Sequence, residues 1–289
     1  LQLNNGDDTF SEIGRLAGVE ASDWSWGALF FDMNNDGLRD LFIANGIYRD
    51  LTDQDYLQYV SSEQVLMSFF SNEEVDYARL VEIIPSRPVK NHAYINLGDL
   101  KFENDKTTGL LNPSFSNGSA YGDLDNDGDL DLVVSNINEN VSLYINQTNE
   151  KANYLQLKFD YPSPNTFGIG TKVYSYTKGE LQFKELYTVR GFQSSSEPTV
   201  HFGYGAIQQV DSITIVWPNK WYQTIRNIPV NQQLTIRPEK TKPFNYSTLL
   251  KKETPIFKQV SNNLGLNFIH SEDNYTDFNR QKLIPYQTS

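Results

Sequence analysis

The sequence predicts a mainly β protein: repeated hairpin units, interrupted by a helical insertion, and then a β-sandwich-like domain. Three observations lead there. The 289 residues include 17 Tyr, 17 Phe and 4 Trp, types that favour half-buried pleated surfaces. A pattern in the first half recurs: Asn4-x-Gly6-Asp7-x-x-Phe10 reads like Asn96-x-Gly98-Asp99-x-x-Phe102, and the pairs Gly18/Gly109, Gly27/Gly118 and Asp32/Asp123 share one spacing. From Asn153 to Arg237, short strand-like runs alternate with turn signals.

In order along the chain, residues 1–46 form the first unit. Its Ala28-Leu29-Phe30-Phe31 and Leu41-Phe42-Ile43-Ala44 are short apolar runs, read as buried strands around an Asp-rich loop. Residues 47–91 read as a helical insertion. Thr52-Asp53 caps a first helix carrying Leu57, Val60, Leu66 and Phe70, Ser71-Asn72-Glu73-Glu74 restarts it, and Pro85 and Pro88 end it. The insertion is expected to cap one face of the β unit rather than to form a lid over a binding site. Residues 92–150 repeat the first unit, with Leu132-Val133-Val134-Ser135 after their own loop.

The β domain spans 153–237. Its expected strands are Tyr154–Phe159, Thr171–Tyr176, Phe183–Val189, Thr199–Phe202, Asp211–Trp217 and Gln232–Ile236, with turns at Lys178-Gly179 and Pro218-Asn219. Residues 238–256 read as a linker. A further unit starts at Phe257 and runs to 289, with Gly265-Leu266 answering to Gly18-Val19. The chain opens mid-pattern and stops inside another, and so reads as an excerpt.

The two loops carry the chemistry. One is Asp32-Met33-Asn34-Asn35-Asp36-Gly37-Leu38-Arg39-Asp40 and the other Asp123-Leu124-Asp125-Asn126-Asp127-Gly128-Asp129-Leu130-Asp131. Oxygen-bearing side chains recur at alternate places and again at the ninth. Calcium takes about six to eight oxygen ligands in a flexible shell. The expected ligands are Asp32, Asn34, Asp36, Leu38 and Asp40 in the first loop, Leu38 through its carbonyl. In the second they are Asp123, Asp125, Asp127, Asp129 and Asp131. Glycine at the sixth place permits the positive φ that wraps the chain round an ion. An EF-hand is excluded: Ile43 or Val134 stands where it needs a bidentate Glu, and strand-like runs flank both loops. An Asp/Asn/Gly turn that binds nothing is the plainer alternative, but so many carboxylates would repel one another without a cation. Two calcium ions in a structural role are expected, the second loop being tighter because it has more carboxylates.

Composition narrows the partners. Thirty-six acidic against 24 basic residues give a net charge of −12, which opposes nucleic-acid binding. The absence of cysteine rules out disulfides and zinc–thiolate sites. No apolar run reaches the roughly 18 residues of a membrane span. His201 reads as a packed strand-end histidine rather than a catalytic base, and Trp24, Trp26, Trp217 and Trp221 as core fillers rather than a sugar-stacking face.

The units Gly27–Gly46 and Gly118–Asn136 resemble the FG-GAP/VCBS repeat. That resemblance implies blades of a β-propeller with calcium in each Asp loop. Phe167-Gly168-Ile169-Gly170-Thr171-Lys172-Val173, Arg190-Gly191-Phe192-Gln193-Ser194-Ser195, Val200-His201-Phe202-Gly203-Tyr204-Gly205, Val210–Pro218 and Asn231-Gln232 resemble an ASPIC/UnbV domain. Thr171 stands where that family usually has Ala, and Asn219-Lys220 replaces its acidic residue and Gly after Trp-Pro. Together the two modules resemble the cartilage-acidic-protein-like family of exported repeat proteins, and the chain reads as part of a larger bacterial member. The implied function is calcium-stabilised binding of a glycan or protein outside the cytosol, where calcium is plentiful. A polysaccharide hydrolase or lyase using the propeller as scaffold is the alternative. No catalytic constellation stands out, so no catalytic residue is assigned.

Overall fold

The computed structural model describes residues 1–70, 77–148, 152–249, 257, 260, 264–266 and 268–271. Two compact units are present, Leu1–Phe244 and Asn245–Ser289. In the second, the described residues include one 3₁₀ turn at Tyr246–Leu249. Most of the further unit expected from Phe257 lies outside the described residues.

The first unit is built of strands. β1 (Gln2–Asn4) and β2 (Phe10–Glu12) form a hairpin, followed by the short helix α1 (Gly14–Ala17). β3 (Ser25–Phe31) and β4 (Asp40–Asn45) are antiparallel, with the first Asp loop between them. β4 is buried along its whole length, which is why it reads as a continuous apolar run.

The insertion then intervenes as α2 (Gln54–Val60), α3 (Glu63–Phe70) and α4 (Tyr77–Glu82). Asp53 caps α2 as expected, accepting from the Tyr56 N–H at 3.0 Å. The helix expected to run on through Val60 to Leu66 and Phe70 is broken, however. The Ser61 hydroxyl donates back to the Leu57 carbonyl at 2.7 Å, a bond that competes with helix continuation. The restart at Ser71–Glu74 lies outside the described residues. Leu57, Leu66, Met67 and Val81 are exposed, and α2 buries none of its residues.

The chain returns through β5 (Val89–Lys90) to β6 (His92–Asn96) and β7 (Phe102–Asn104), which complete the sheet in the order β3-β4-β6-β7. The sequence repeat and the sheet are therefore offset: His92–Asn104 opens the second repeat but closes the first four-stranded sheet. β8 (Pro113–Ser114) pairs with β5. β9 (Ser116–Gly122), β10 (Asp131–Asn136) and β11 (Ser142–Tyr144) form a three-stranded sheet, with the second Asp loop between β9 and β10. The two sheets share one core, which includes Leu29, Phe31, Phe42, Leu132 and Val134. No closed ring of sheets forms among the described residues.

The rest of the unit is two sheets. β12 (Asn153–Phe159) begins one. β13 (Lys172–Thr177) and β14 (Glu180–Glu185) begin the other, and β15 (Thr199–Gly205) returns to pair with β12. β16 (Gln209–Val216), β17 (Trp221–Pro229), β18 (Gln232–Ile236) and β19 (Lys242–Pro243) follow, giving the orders β15-β12-β18 and β14-β13-β16-β17-β19. Their facing sides make one core around Leu155, Leu157, Val173, Phe202, Ile215 and Trp217, the packing of a β-sandwich.

Three sequence expectations shift here. The strand expected at Phe183–Val189 is Glu180–Glu185, because the Lys178-Gly179 turn pairs β14 directly with β13. β17 escapes the sequence reading, since Asn227 and Pro229 interrupt its apolar pattern. The start of the stretch read as a linker is built into the sheet: Lys242 and Pro243 pair with β17, and Phe244 stacks 6.0 Å from Tyr174.

The sandwich docks on the Asp loops through β15. The Gly205 N–H donates to the Asn35 carbonyl at 2.7 Å. A Cβ on Gly203 would overlap Asp32 Oδ2 and lie 2.5 Å from the Asn35 backbone. Gly203→Ala should therefore cost about 3 kcal/mol, roughly 6–12 °C in Tm for a unit of this size. Gly122→Ala, whose Cβ would meet neighbours only at 3.7 Å and beyond, should cost far less. Thermal melts of the two variants provide the check.

Candidate metal centre

Both loops are organised by the same hydrogen bonds. The carboxylate at the first place accepts from the backbone N–H groups of the fifth and sixth. Asp32 takes Asp36 at 3.1 Å and Gly37 at 2.9 Å, and Asp123 takes Asp127 and Gly128, both at 3.1 Å. The ninth-place carboxylate accepts from the N–H of the second place: Met33 to Asp40 and Leu124 to Asp131, both 2.8 Å. Gly37 and Gly128 have φ of +96° and +99°, a conformation that a side chain disfavours.

Two further residues complete the frame, and the sequence reading missed both as site residues. The Asn96 N–H donates to Asp40 and the Asn146 N–H to Asp131, each at 2.8 Å. Their side-chain amides donate to the eighth-place carbonyls, Asn96 to Arg39 at 2.9 Å and Asn146 to Leu130 at 3.2 Å. Asn146 also donates to the Met33 carbonyl at 2.7 Å, tying one loop to the other. The available signal was the Asn that closes each hairpin after the loop, already visible at Asn96 in the Asn-x-Gly pattern.

The loops differ in how far their acids converge. In the second, one oxygen from each of Asp123, Asp125 and Asp131 lies within 4.8 Å of the others. No trio in the first loop comes that close, and the Asn34 amide donates to Asp36 at 3.0 Å. The Asp129 carboxylate accepts from the Thr148 N–H at 2.6 Å, so its side chain clips the chain after β11. Leu38 is partly exposed, and its N–H donates to Asp36 at 2.7 Å.

Buried negative charge is concentrated here. Asp32, Asp40 and Asp131 are at most 1% exposed. Burial pushes the Asp32 carboxyl up to about 6 and the Asp40 carboxyl up to about 7, against their backbone hydrogen bonds. At Asp125, desolvation first and the charges of Asp127 and Asp131 next raise the carboxyl. The donor set fits a hard divalent cation: all-oxygen, carboxylate-rich, wrapped by a glycine turn and preset by backbone N–H groups. A carboxylate oxygen that accepts one hydrogen bond keeps a lone pair for a metal.

The sandwich faces the same loops. Gln156 donates to Asp123 at 2.6 Å. Asn35, fully buried, donates to the Gly128 carbonyl at 3.1 Å and accepts from His201 Nε2 at 2.6 Å. His201 is thus the packed histidine of the sequence reading, and it is stacked 5.9 Å from Tyr154. A Cβ on Gly128 would overlap that tyrosine ring. Of the four tryptophans, only Trp217 fills a core. Trp24, Trp26 and Trp221 are 36–43% exposed, contrary to expectation. Trp26 stays near the surface because its indole N–H bonds the Gly46 carbonyl and its ring packs 4.8 Å from Phe192.

Between the β3–β4 hairpin and β14–β15 lies a cleft of about 320 Å³. Arg39, Lys184 and Arg190 line it, with Phe30, Tyr121, Phe183 and Tyr187. Burial lowers the Lys184 ammonium to about 8, although Asp32 opposes the shift.

Burial pushes the His201 imidazole down to about 3, with the Lys184 charge adding to the effect. Unfolded, it binds a proton near its ordinary 6.5. Its contribution to stability is therefore complete above about 6.5 and is lost as pH falls below that, by up to about 1.4 kcal/mol per pH unit. His201→Gln should remove this component. The Tm gap between variant and wild type should narrow as pH falls from 7 towards 5, as thermal melts at matched calcium would show.

Among the described residues, no helix is long and apolar enough to cross a membrane. Residues 161–243 match the family model described as ASPIC and UnbV, which covers the sandwich from just after β12 to β19. The chain is also 25% identical over 251 residues to cartilage acidic protein 1 of Xenopus tropicalis, an alignment spanning 76% of this chain and 38% of that protein. The chain thus covers well under half the length of this relative, and it carries an ASPIC/UnbV domain on a mainly β framework.

Proposed function

We propose that this chain belongs to a calcium-binding β-propeller module of FG-GAP/VCBS repeats, coupled to its ASPIC/UnbV domain and working outside the cytosol to hold a glycan or protein. The observation that carries the calcium reading is the shared loop frame, with Asp123, Asp125 and Asp131 converging at its centre. The sheets β3-β4-β6-β7 and β9-β10-β11 have the up-and-down strand order of propeller blades. Asp123, Asp125, Asp127 and Asp131 would hold one ion, and Asp32, Asn34, Asp36 and Asp40 the other, with the seventh-place carbonyls of Leu38 and Asp129. When bound, calcium supplies positive charge to buried acids. The residues do the rest: backbone N–H groups orient the carboxylates, and Asn96 and Asn146 pin the next strand to each loop. The role is structural. The millimolar calcium that fills such loops is an extracytoplasmic condition. The binding half of the proposal rests on the cleft beside the first loop.

Calorimetric titration with calcium should show two sites. Asp127→Ala should remove one and Asp36→Ala the other, and the site left in Asp36→Ala should be the tighter. Equal affinities in the two variants would overturn the ranking, and no calcium binding by the wild type would overturn the reading. At roughly a hundredfold excess over its dissociation constant, each site should add about 2.7 kcal/mol of stability. A chelator should therefore lower Tm, and magnesium at the same concentration should restore little of it.

A further inference from the structure

We propose that the cleft between the β3–β4 hairpin and β14–β15 is a binding site for a saccharide that carries a carboxylate. This deepens the binding reading above and rests on it. The charge is the first argument. In a chain of net charge −12, Arg39, Lys184 and Arg190 all line one cleft. None of the three forms an ion pair with a described carboxylate. Glu185 and Glu197, also in the lining, are turned to other cations: Glu185 to Lys172 at 2.9 Å, Glu197 to Lys158 at 4.0 Å. Asp32, the third acid of the lining, acts on Lys184 through its charge but is engaged by the Asp36 and Gly37 N–H groups of its own loop. Three gathered cations without a direct ion pair suit an anionic ligand.

The cations are also held in place. The Arg190 guanidinium lies 3.8 Å from the centre of the Tyr187 ring and 5.6 Å from that of Tyr121. Lys184 Nζ sits 5.2 Å from the Phe202 ring centre, and Arg39 Nη2 donates to the Phe183 carbonyl at 2.5 Å. Aromatic faces orient a guanidinium without neutralising it. Its fork stays available to a carboxylate, which it can bind bidentately.

The remaining lining selects a ring with hydroxyls over a bare anion. Phe30 and Phe183 are 37% and 41% exposed and offer apolar ring surface to a sugar's C–H face. Thr199 Oγ1 and His201 Nδ1 belong to lining residues but are themselves buried, so the polar contacts to such a ring fall to Arg39, Lys184 and Arg190. A cleft of about 320 Å³ is at the lower end for small-ligand sites, and so suits one or two sugar rings rather than a long chain.

The test uses the whole chain with calcium present. Binding of a hexuronic-acid disaccharide, its neutral hexose counterpart and inorganic sulfate is measured by saturation-transfer NMR and calorimetry. The acidic disaccharide should bind at least about tenfold more tightly than the other two. Arg190→Gln and Lys184→Gln should each weaken it by about tenfold, the worth of one charged hydrogen bond. Arg237→Gln, whose partner is the exposed Asp160, should leave binding unchanged. If Lys184→Gln fails to fold, exposed Arg39→Gln serves in its place. No binding of the acidic disaccharide, equal binding of the neutral one or of sulfate, or unchanged affinity in the cleft variants overturns the proposal. The calcium-induced rise in Tm, read on the same samples, separates the two failures. If the rise is kept while the disaccharide fails, only the cleft assignment falls; if it is absent, the calcium-module reading falls first.

Discussion

The seating of β15 on the first Asp loop is the contact on which the rest of the first unit depends. Gly203 lies so close to Asp32 and Asn35 that no side chain fits between them, and the Gly205 N–H closes onto the Asn35 carbonyl. Interiors are packed too densely to absorb such a shift. The contact fixes where the sandwich meets the hairpin units. It thereby shapes the cleft, whose walls come from the β3–β4 hairpin on one side and from β14 and β15 on the other. It also makes the Asp loops more than clips for their own hairpins. Each presses on the sandwich, the first through Asn35 and His201, the second through Gly128 under Tyr154 and Asp123 against Gln156. A change in loop shape is felt by both halves.

Electrostatics and packing pull in opposite directions at this contact. Burial of Asp32 and Asp40 destabilises their ionised forms, and backbone N–H groups offset only part of that cost. A protein with this net charge keeps such acids in its interior because the loop geometry needs their oxygens. His201 stays neutral beside them and spends its Nε2 proton on Asn35. Lys184 sits half-buried nearby, a cation near an acid but not ion-paired with it.

What was legible in the sequence was local. The Asp loops can be read because alternate residues within nine positions share one turn, and β4 because its burial on both faces makes it a continuous apolar run. The sandwich strands at Tyr154–Phe159 and Gln232–Ile236 follow from the same short-range pattern. What was hidden was either non-local or a single-residue effect. His201 meets Asn35 across 166 positions, and no periodicity points from one to the other. The ASPIC/UnbV stretch Val200-His201-Phe202-Gly203 looks like an ordinary strand until Gly203 is found against Asp32. The break after α2 is a change of backbone angle at one residue, Ser61 with φ −84° and ψ 1°, which propensity alone does not resolve. β17 carries Asn227 and Pro229, so it shows no strand pattern until its partner β16 is known.

The place of the helical insertion has its own consequence. It leaves the sheet after Asn45 and returns at Asn91, and these residues hold each other. The Asn45 N–H donates to the Asn91 side chain at 2.9 Å, and the Asn45 amide donates to the Lys90 carbonyl at 3.1 Å. The base of the excursion is thus stapled independently of what it encloses. Loop-closure cost grows only slowly with length, by about 0.6 kcal/mol per doubling. The hairpin at this corner is therefore a socket. Its contents can lengthen, shorten or be exchanged over evolution while the register of β4 on β6, and everything seated on it, stays as it is.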